Sequence, residues 1–370
     1  MRVSMNRRAH FLFSLAAAAL LVCSGVAVGH VQAPAPFAAR ITQLSERGGY
    51  FDTDNLISNE KSYLHVIPAL HAGGVTGGAY VGVGPDQNFS YIAQIRPAIA
   101  FIIDIRRDNL LLHLLFKSIF SLSETRVDYL SLLFGRPPPP RLDEWRKADI
   151  DRVAAYIEST RTTEATAAAI RAKIDATIRT FGVQLSAEDF ATIDRFHQTF
   201  VNGGLPLKFE TTGRAPRPYY PSYRDLLFET DRQGHRWNYL VSEDDFQFVR
   251  SLERRDLVIP LVGDLGGPAA IVQIGKMMTD RGDRLSAFYT SNVEFYLAND
   301  NTFQKFVDNL SHLPHTNKSV IIRSIFSGAN ALPYNMPGYA SASIVQSVDE
   351  LLQGYAAGRF HSYRELTISR

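Results

Sequence analysis

Apolar and polar positions alternate in blocks along this chain. From residue 79 to 104 two short apolar, β-branched runs flank a helical stretch: Tyr80–Val83 ends in Gly82-x-Gly84, Asp86 and Asn88 are able to cap a helix, and Ala98–Ile103 terminates in Asp104. This predicts strand, tight turn, helix and strand. Leu110–Phe120 is apolar nearly all round, which predicts a buried helix; Leu130–Phe134 continues the apolar surface, and Gly135 with Pro137–Pro140 ends it. Residues 141 to 200 carry helical runs at Leu142–Glu158, Thr163–Phe181 and Ser186–Phe200, the last opened by a capping-box-like Ser186-x-x-Asp189. They predict a helical insertion at about 136–222, closed by the proline-rich segment Lys208–Ser222, which has the composition of a lid. Alternation then resumes with a helix over Ser242–Arg254 and strands over Leu257–Val262, Leu285–Thr290 and Ser319–Ile325. Helices over Ala269–Thr279 and Thr302–Leu310 separate them. The fold class this predicts is α/β, a mostly parallel sheet with a helical insertion, built from residues 30–370 as one domain.

The separation of Gly84 from Asp104 is close to the roughly 20 residues expected between the glycine turn and the ribose-binding acid of a dinucleotide fold. The stretch therefore reads as the first β-α-β unit of a Rossmann-like sheet. Gly82 and Gly84 allow a sharp turn and close approach to the main chain, and the helix start at Asp86 to Asn88 offers unpaired N–H groups. In open α/β sheets the ligand crevice lies at the carboxyl ends of the strands. Asp264, Ser291, Asn292 and Glu294 follow later strands and are expected at the same edge as Gly82, Gly84 and Asp104. The glycine loop Gly73–Gly78 is read as spreading the chain across the sheet edge. His113 and His197 fall on apolar helical stripes and are read as core residues.

Length and composition fit a globular chain: 370 residues, 45% hydrophobic and 21% charged. The amino-terminal segment departs from this average. Arg2, Arg7 and Arg8 precede the apolar run Phe11–Val22, and the small-residue pattern Ala27-Val28-Gly29 follows. That is the layout of a secretory signal peptide over residues 1–29, too short in its apolar core for the ~20 residues of a membrane span. A mature chain exported to the periplasm or the cell exterior is expected, with no integral membrane span. Lipid attachment at Cys23 needs a small residue before it, where Val22 stands. With the leader go three arginines and the one cysteine, so a balance of 39 basic and 37 acidic residues falls to near neutrality. Nothing in the charge points to nucleic acid, and disulfide or thiolate chemistry is excluded from the mature chain.

Tyr80-Val81-Gly82-Val83-Gly84-Pro85-Asp86-Gln87-Asn88-Phe89, Phe101–Arg107 and Phe288–Leu297 together resemble the class I methyltransferase-like Rossmann fold and an uncharacterised family of exported bacterial proteins with that fold. The resemblance covers about 60 to 130 and 240 to 330. It implies that Gly82 and Gly84 lie against a cofactor and that Asp104 binds its ribose hydroxyls, the cofactor of active members being S-adenosylmethionine. The acid usual two residues before the first glycine is Tyr80 here, and the third glycine is Gln87. The expectation is therefore an exported, methyltransferase-like protein without that chemistry, which binds a polar small molecule or a partner and needs no cofactor. The alternatives are an S-adenosylmethionine-dependent methyltransferase and a hydrolase using carboxylates such as Asp264 with Glu294. No His-Glu-x-x-His, P-loop or Gly-x-Ser-x-Gly sequence is present, and no metal site is expected. His312 and His315 are read as a surface loop, and Arg281-Gly282-Asp283 as a turn.

Overall fold

The computed structural model describes residues 36–212, 215–326, 336–360 and 362–368. The leader read over residues 1–29 lies outside them. Six strands form one sheet: β1 (Ala79–Val83), β2 (Ile99–Asp104), β3 (Val258–Val262), β4 (Leu285–Ser291), β5 (Val320–Phe326) and β6 (Ser341–Ser347). Their order is β3-β2-β1-β4-β5-β6, all pairings parallel except that of β5 with β6. This is the predicted α/β, Rossmann-like sheet. Every residue of β1, β2 and β3 is buried. Helices cover both faces, which is why these strands are continuous apolar runs and do not alternate.

Strand β6 has no counterpart in the sequence reading. Ser341-Ala342-Ser343-Ile344-Val345-Gln346-Ser347 is mostly small and polar, and its partners supply what its side chains lack. Ser343 Oγ lies 3.2 Å from Ser324 Oγ of β5. Ser62 Oγ, from the 3₁₀ helix Lys61–Val66, lies 3.0 Å from Ser341 Oγ and 3.3 Å from Ser343 Oγ. A ladder of hydroxyls thus buries a strand with few apolar side chains.

Between β2 and β3 the chain is entirely helical apart from connecting segments. The helix Arg107–Leu122 packs on β2 and β3 and carries the helices Glu164–Thr180 and Ala187–Gly203 on its other side. Twelve of its residues are buried, as its all-round apolarity requires. The capping box at Ser186 and Asp189 forms as predicted, and Asp189 also takes a bidentate pair from Arg107 at 2.7 and 2.9 Å. His113 and His197 are core residues: each gives one ring nitrogen to a backbone carbonyl, of Gly84 and Leu132, at 2.9 Å. The loop Gly73–Gly78 lies at the opposite edge of the sheet from the crevice, held where Gly77 N donates to Ile95 O at 2.8 Å. Among the described residues no helix is long and apolar enough to cross a membrane.

Before β1, the helix Phe37–Leu44 leads into an extended arm, residues 45–60, that crosses the carboxyl ends of the strands. Glu46 N donates to Val262 O at 2.9 Å and Gly49 N to Ile105 O at 2.8 Å. A Cβ on Gly48 would stand 2.9 Å from both Ile105 O and Val262 Cγ1, so only glycine lets the arm lie this close.

Candidate functional site

The strand order reverses between β1 and β4, so the helices that follow them leave toward opposite faces and a crevice opens at their carboxyl ends. There the structure holds a cavity of about 280 Å³, floored by the ends of β1 to β4 and roofed by Tyr50, Phe51 and Asn55 of the arm. Five of the nine predicted residues line it: Gly84, Asp104, Asp264, Ser291 and Asn292. Gly84 has φ 88°, a left-handed conformation that glycine adopts without strain. Ser291, at φ 55°, ends β4 at an irregular register and turns the chain into the helix Val293–Asn299.

The other four predicted residues are turned away, each for a packing reason. Asn88 is fully buried and staples the glycine turn: its Nδ2 donates to Val83 O, Gly84 O and Pro85 O at 3.0, 3.2 and 2.8 Å, and its Oδ1 accepts from Tyr80 at 2.8 Å. Gly82 is glycine because a Cβ there would collide with Asn88 Oδ1, so the space predicted for a ligand is filled by the chain's own amide. Asp86 sits at the N-cap of the helix Gln87–Ile95 but makes no capping bond. Its carboxyl faces a space of about 10 Å³ among Tyr63, Tyr223 and Asn238, and burial pushes it up to about 7. Glu294 is completely buried and grips Arg323, with Nε–Oε2 at 2.5 Å and Nη2–Oε1 at 3.1 Å. A hydrolytic pair of Asp264 with Glu294 is thereby corrected: Glu294 has no free face toward the crevice.

Inside the crevice Asp104 is not a free acid either. Arg106 binds it through Nε at 3.0 Å, Nη2 at 2.8 Å and its backbone N at 2.9 Å. The guanidinium reaches on to Thr53 O at 2.5 Å, so the pair also anchors the arm. Asp264 Oδ1 accepts from Gly266 N at 2.8 Å and shapes the turn after β3.

Two carboxylates that sequence reasoning missed come from the arm. Glu46 accepts from Asp264 N, Ala269 N and Ala270 N at 2.9, 2.8 and 3.0 Å, and so closes the start of the helix Ala270–Arg281. Glu60 is buried behind Ser291 and accepts from the hydroxyls of Tyr289, Ser291 and Ser324. Burial raises its pKa, and the three hydroxyl donors oppose that shift. Neither acid lies in a local motif; their partners are more than 200 positions away. Among the described residues no group of three or more His, Cys, Asp or Glu side chains is placed to hold a metal ion.

A family model described as Domain of unknown function (DUF7790) matches residues 55–356, a span that begins in the arm at Asn55 and takes in all six strands. No curated protein matches the chain.

Proposed function

The chain belongs to the DUF7790 family, and from that premise we propose that this member is a binding protein for a small polar organic molecule, seated in the crevice over the ends of β1 to β4. The observation that carries this reading is the cavity of about 280 Å³ at the strand-order reversal. Its size is near the lower end of the ~300–1,000 Å³ common for ligand pockets, and it combines apolar walls with a few convergent polar groups. Val83, Ile103 and Leu265 supply apolar surface; Asn55, Asn292 and Ser291 supply donors and acceptors.

On this reading the protein acts after export, and its methyltransferase-like sheet does not use S-adenosylmethionine. The supports are Asn88 filling the space beside Gly82 and Arg106 engaging both oxygens of Asp104, where the cofactor of active members would need open backbone and a free ribose acceptor. Titration calorimetry with S-adenosylmethionine should show no binding at physiological levels; a micromolar Kd, roughly 8 kcal/mol of binding free energy, would make the protein a methyltransferase candidate instead. A thermal-shift screen of polar metabolites against the mature chain should find a stabilising compound. Val293→Trp, which places bulk at a half-buried wall position, should abolish that shift while leaving the unliganded melting temperature nearly unchanged. Hits that ignore Val293→Trp, or a screen without hits, would remove the crevice as the binding site.

A further inference from the structure

Beside the crevice lies a second cavity of about 250 Å³ that shares with it a wall of Phe51, Asn55, Ser291, Asn292 and Tyr296. Its described lining is eight aromatic rings and five uncharged polar side chains, with no charged residue among them. The large hydrophobic side chains exposed on the described surface are Tyr50, Tyr219 and Phe295, at 80%, 46% and 44%. Tyr219 and Phe295 belong to this second cavity, and Tyr50 to the crevice. Exposed aromatic rings at one cavity mouth mark a place where something apolar is received.

The way the rings are set selects the shape of that occupant. Neighbours meet nearly at right angles: Phe209 with Tyr220 at 76°, Tyr219 with Tyr220 at 83°, Phe51 with Tyr296 at 89° and Phe295 with Tyr296 at 83°. A flat ligand stacks in a slot between parallel rings. Rings that meet at corners make a box, which suits a compact, rounded group. Ring faces carry negative potential, so such a box favours a cation whose charge is spread over methyl groups.

The charges next door have the matching sign. The charged side chains bordering the crevice are Asp104, Arg106, Asp264 and Asp300. Asp104 and Arg106 neutralise each other, while Asp264 and Asp300 have no ion-pair partner among the described residues. The joined space is therefore electronegative, with no basic side chain in the described aromatic part to compete with a bound cation.

We propose that the aromatic cavity receives a methylated ammonium group, which makes the ligand of this protein an organic cation whose uncharged remainder lies in the crevice. This rests on the crevice reading above and gives it a ligand class. The probes are choline and its uncharged carbon isostere 3,3-dimethylbutan-1-ol, titrated into the mature full-length chain by calorimetry or by ligand-observed NMR. Choline should bind at least about tenfold tighter than the isostere, the scale of one desolvated cation–π contact. Phe295→Ala and Tyr219→Ala should each weaken choline several-fold, while Tyr219→Phe, which keeps the ring, should leave it unchanged. Val293→Trp fills only the neighbouring crevice and should leave choline binding intact. Equal affinity for choline and the isostere, or no choline binding at millimolar concentration, overturns the inference; if crevice ligands are still lost in Val293→Trp, the crevice reading survives that failure.

Discussion

Asp86 is a carboxyl with no cation beside it among the described residues, enclosed by Tyr63, Tyr223 and Asn238. Burial raises it from 3.8 to about 7, with the Tyr223 hydroxyl pulling the other way. Glu253, buried and only partly offset by Lys117, is likewise raised to about 7. For a raised folded-state pKa, the stability contribution is complete below the unfolded value near 4 and is lost as pH rises through about 7. His113 and His197 act at the other limb: burial lowers both to about 4, so their contribution is complete above about 6.5 and is lost as pH falls through 4. Thermal unfolding should therefore show a loss of stability from the two carboxyl titrations between about pH 4 and 7, opposed over the same range by the two histidines, with little further change from these groups above about pH 7. Asp86→Asn removes one of the two titrations responsible and should keep a few kcal/mol of stability at pH 9 that the native chain loses. An unchanged slope in the variant would show that Asp86 is ionised and satisfied in the fold. Asp86 was legible as a residue at a helix start; that it is enclosed among tyrosines depended on Tyr223, which the helical region brings from far along the chain.

Among the elements, the arm 45–60 matters most to the site, and local pattern says least about it. It has no periodicity of its own because its partners are strand ends and helix starts. Glu46 places a carboxylate at the positive end of the helix Ala270–Arg281 and satisfies three backbone N–H groups. Glu46→Ala should lower stability by about 1–2 kcal/mol, as loss of a helix cap does, and Glu46→Gln should fall between, since its amide oxygen still accepts but the charge is gone. Urea unfolding midpoints of the three proteins test this; a Glu46→Ala midpoint equal to the native one would show that water replaces the carboxylate at no cost. The capping box at Ser186 was readable because its two partners are three residues apart. Glu46 performs a related task on a helix more than 200 positions away, and no local rule connects them.

At the scale of the whole molecule, all six strands and the helices around them lie between Phe37 and Ile368. If residues 1–29 serve only for export, the mature chain begins near His30 and is recovered outside the cytoplasm. Mass spectrometry of the native protein from cell fractions decides this: an intact Met1 in a cytoplasmic fraction would overturn the exported location. A chain that begins near His30 contains no cysteine, so reducing agents should not change its unfolding.

The amino-acid sequence determined five of the six strands by itself. Strands buried on both faces must be apolar throughout, and the turns between them need glycine, as at Gly84, so β1 to β5 and their helices are written in local composition. It also placed Gly84, Asp104, Asp264, Ser291 and Asn292 at one edge, because parallel strands joined by right-handed crossovers bring all carboxyl ends together. What only the tertiary structure decided is which of these groups are free. Asp104 spends its charge on Arg106 and Glu294 on Arg323, while Asn88 spends its amide hydrogen bonds on the turn beside it. Strand β6, the roof from the arm and the aromatic box depended on contacts between distant segments, because a buried hydroxyl, carboxylate or ring is stable only when its partners arrive with it.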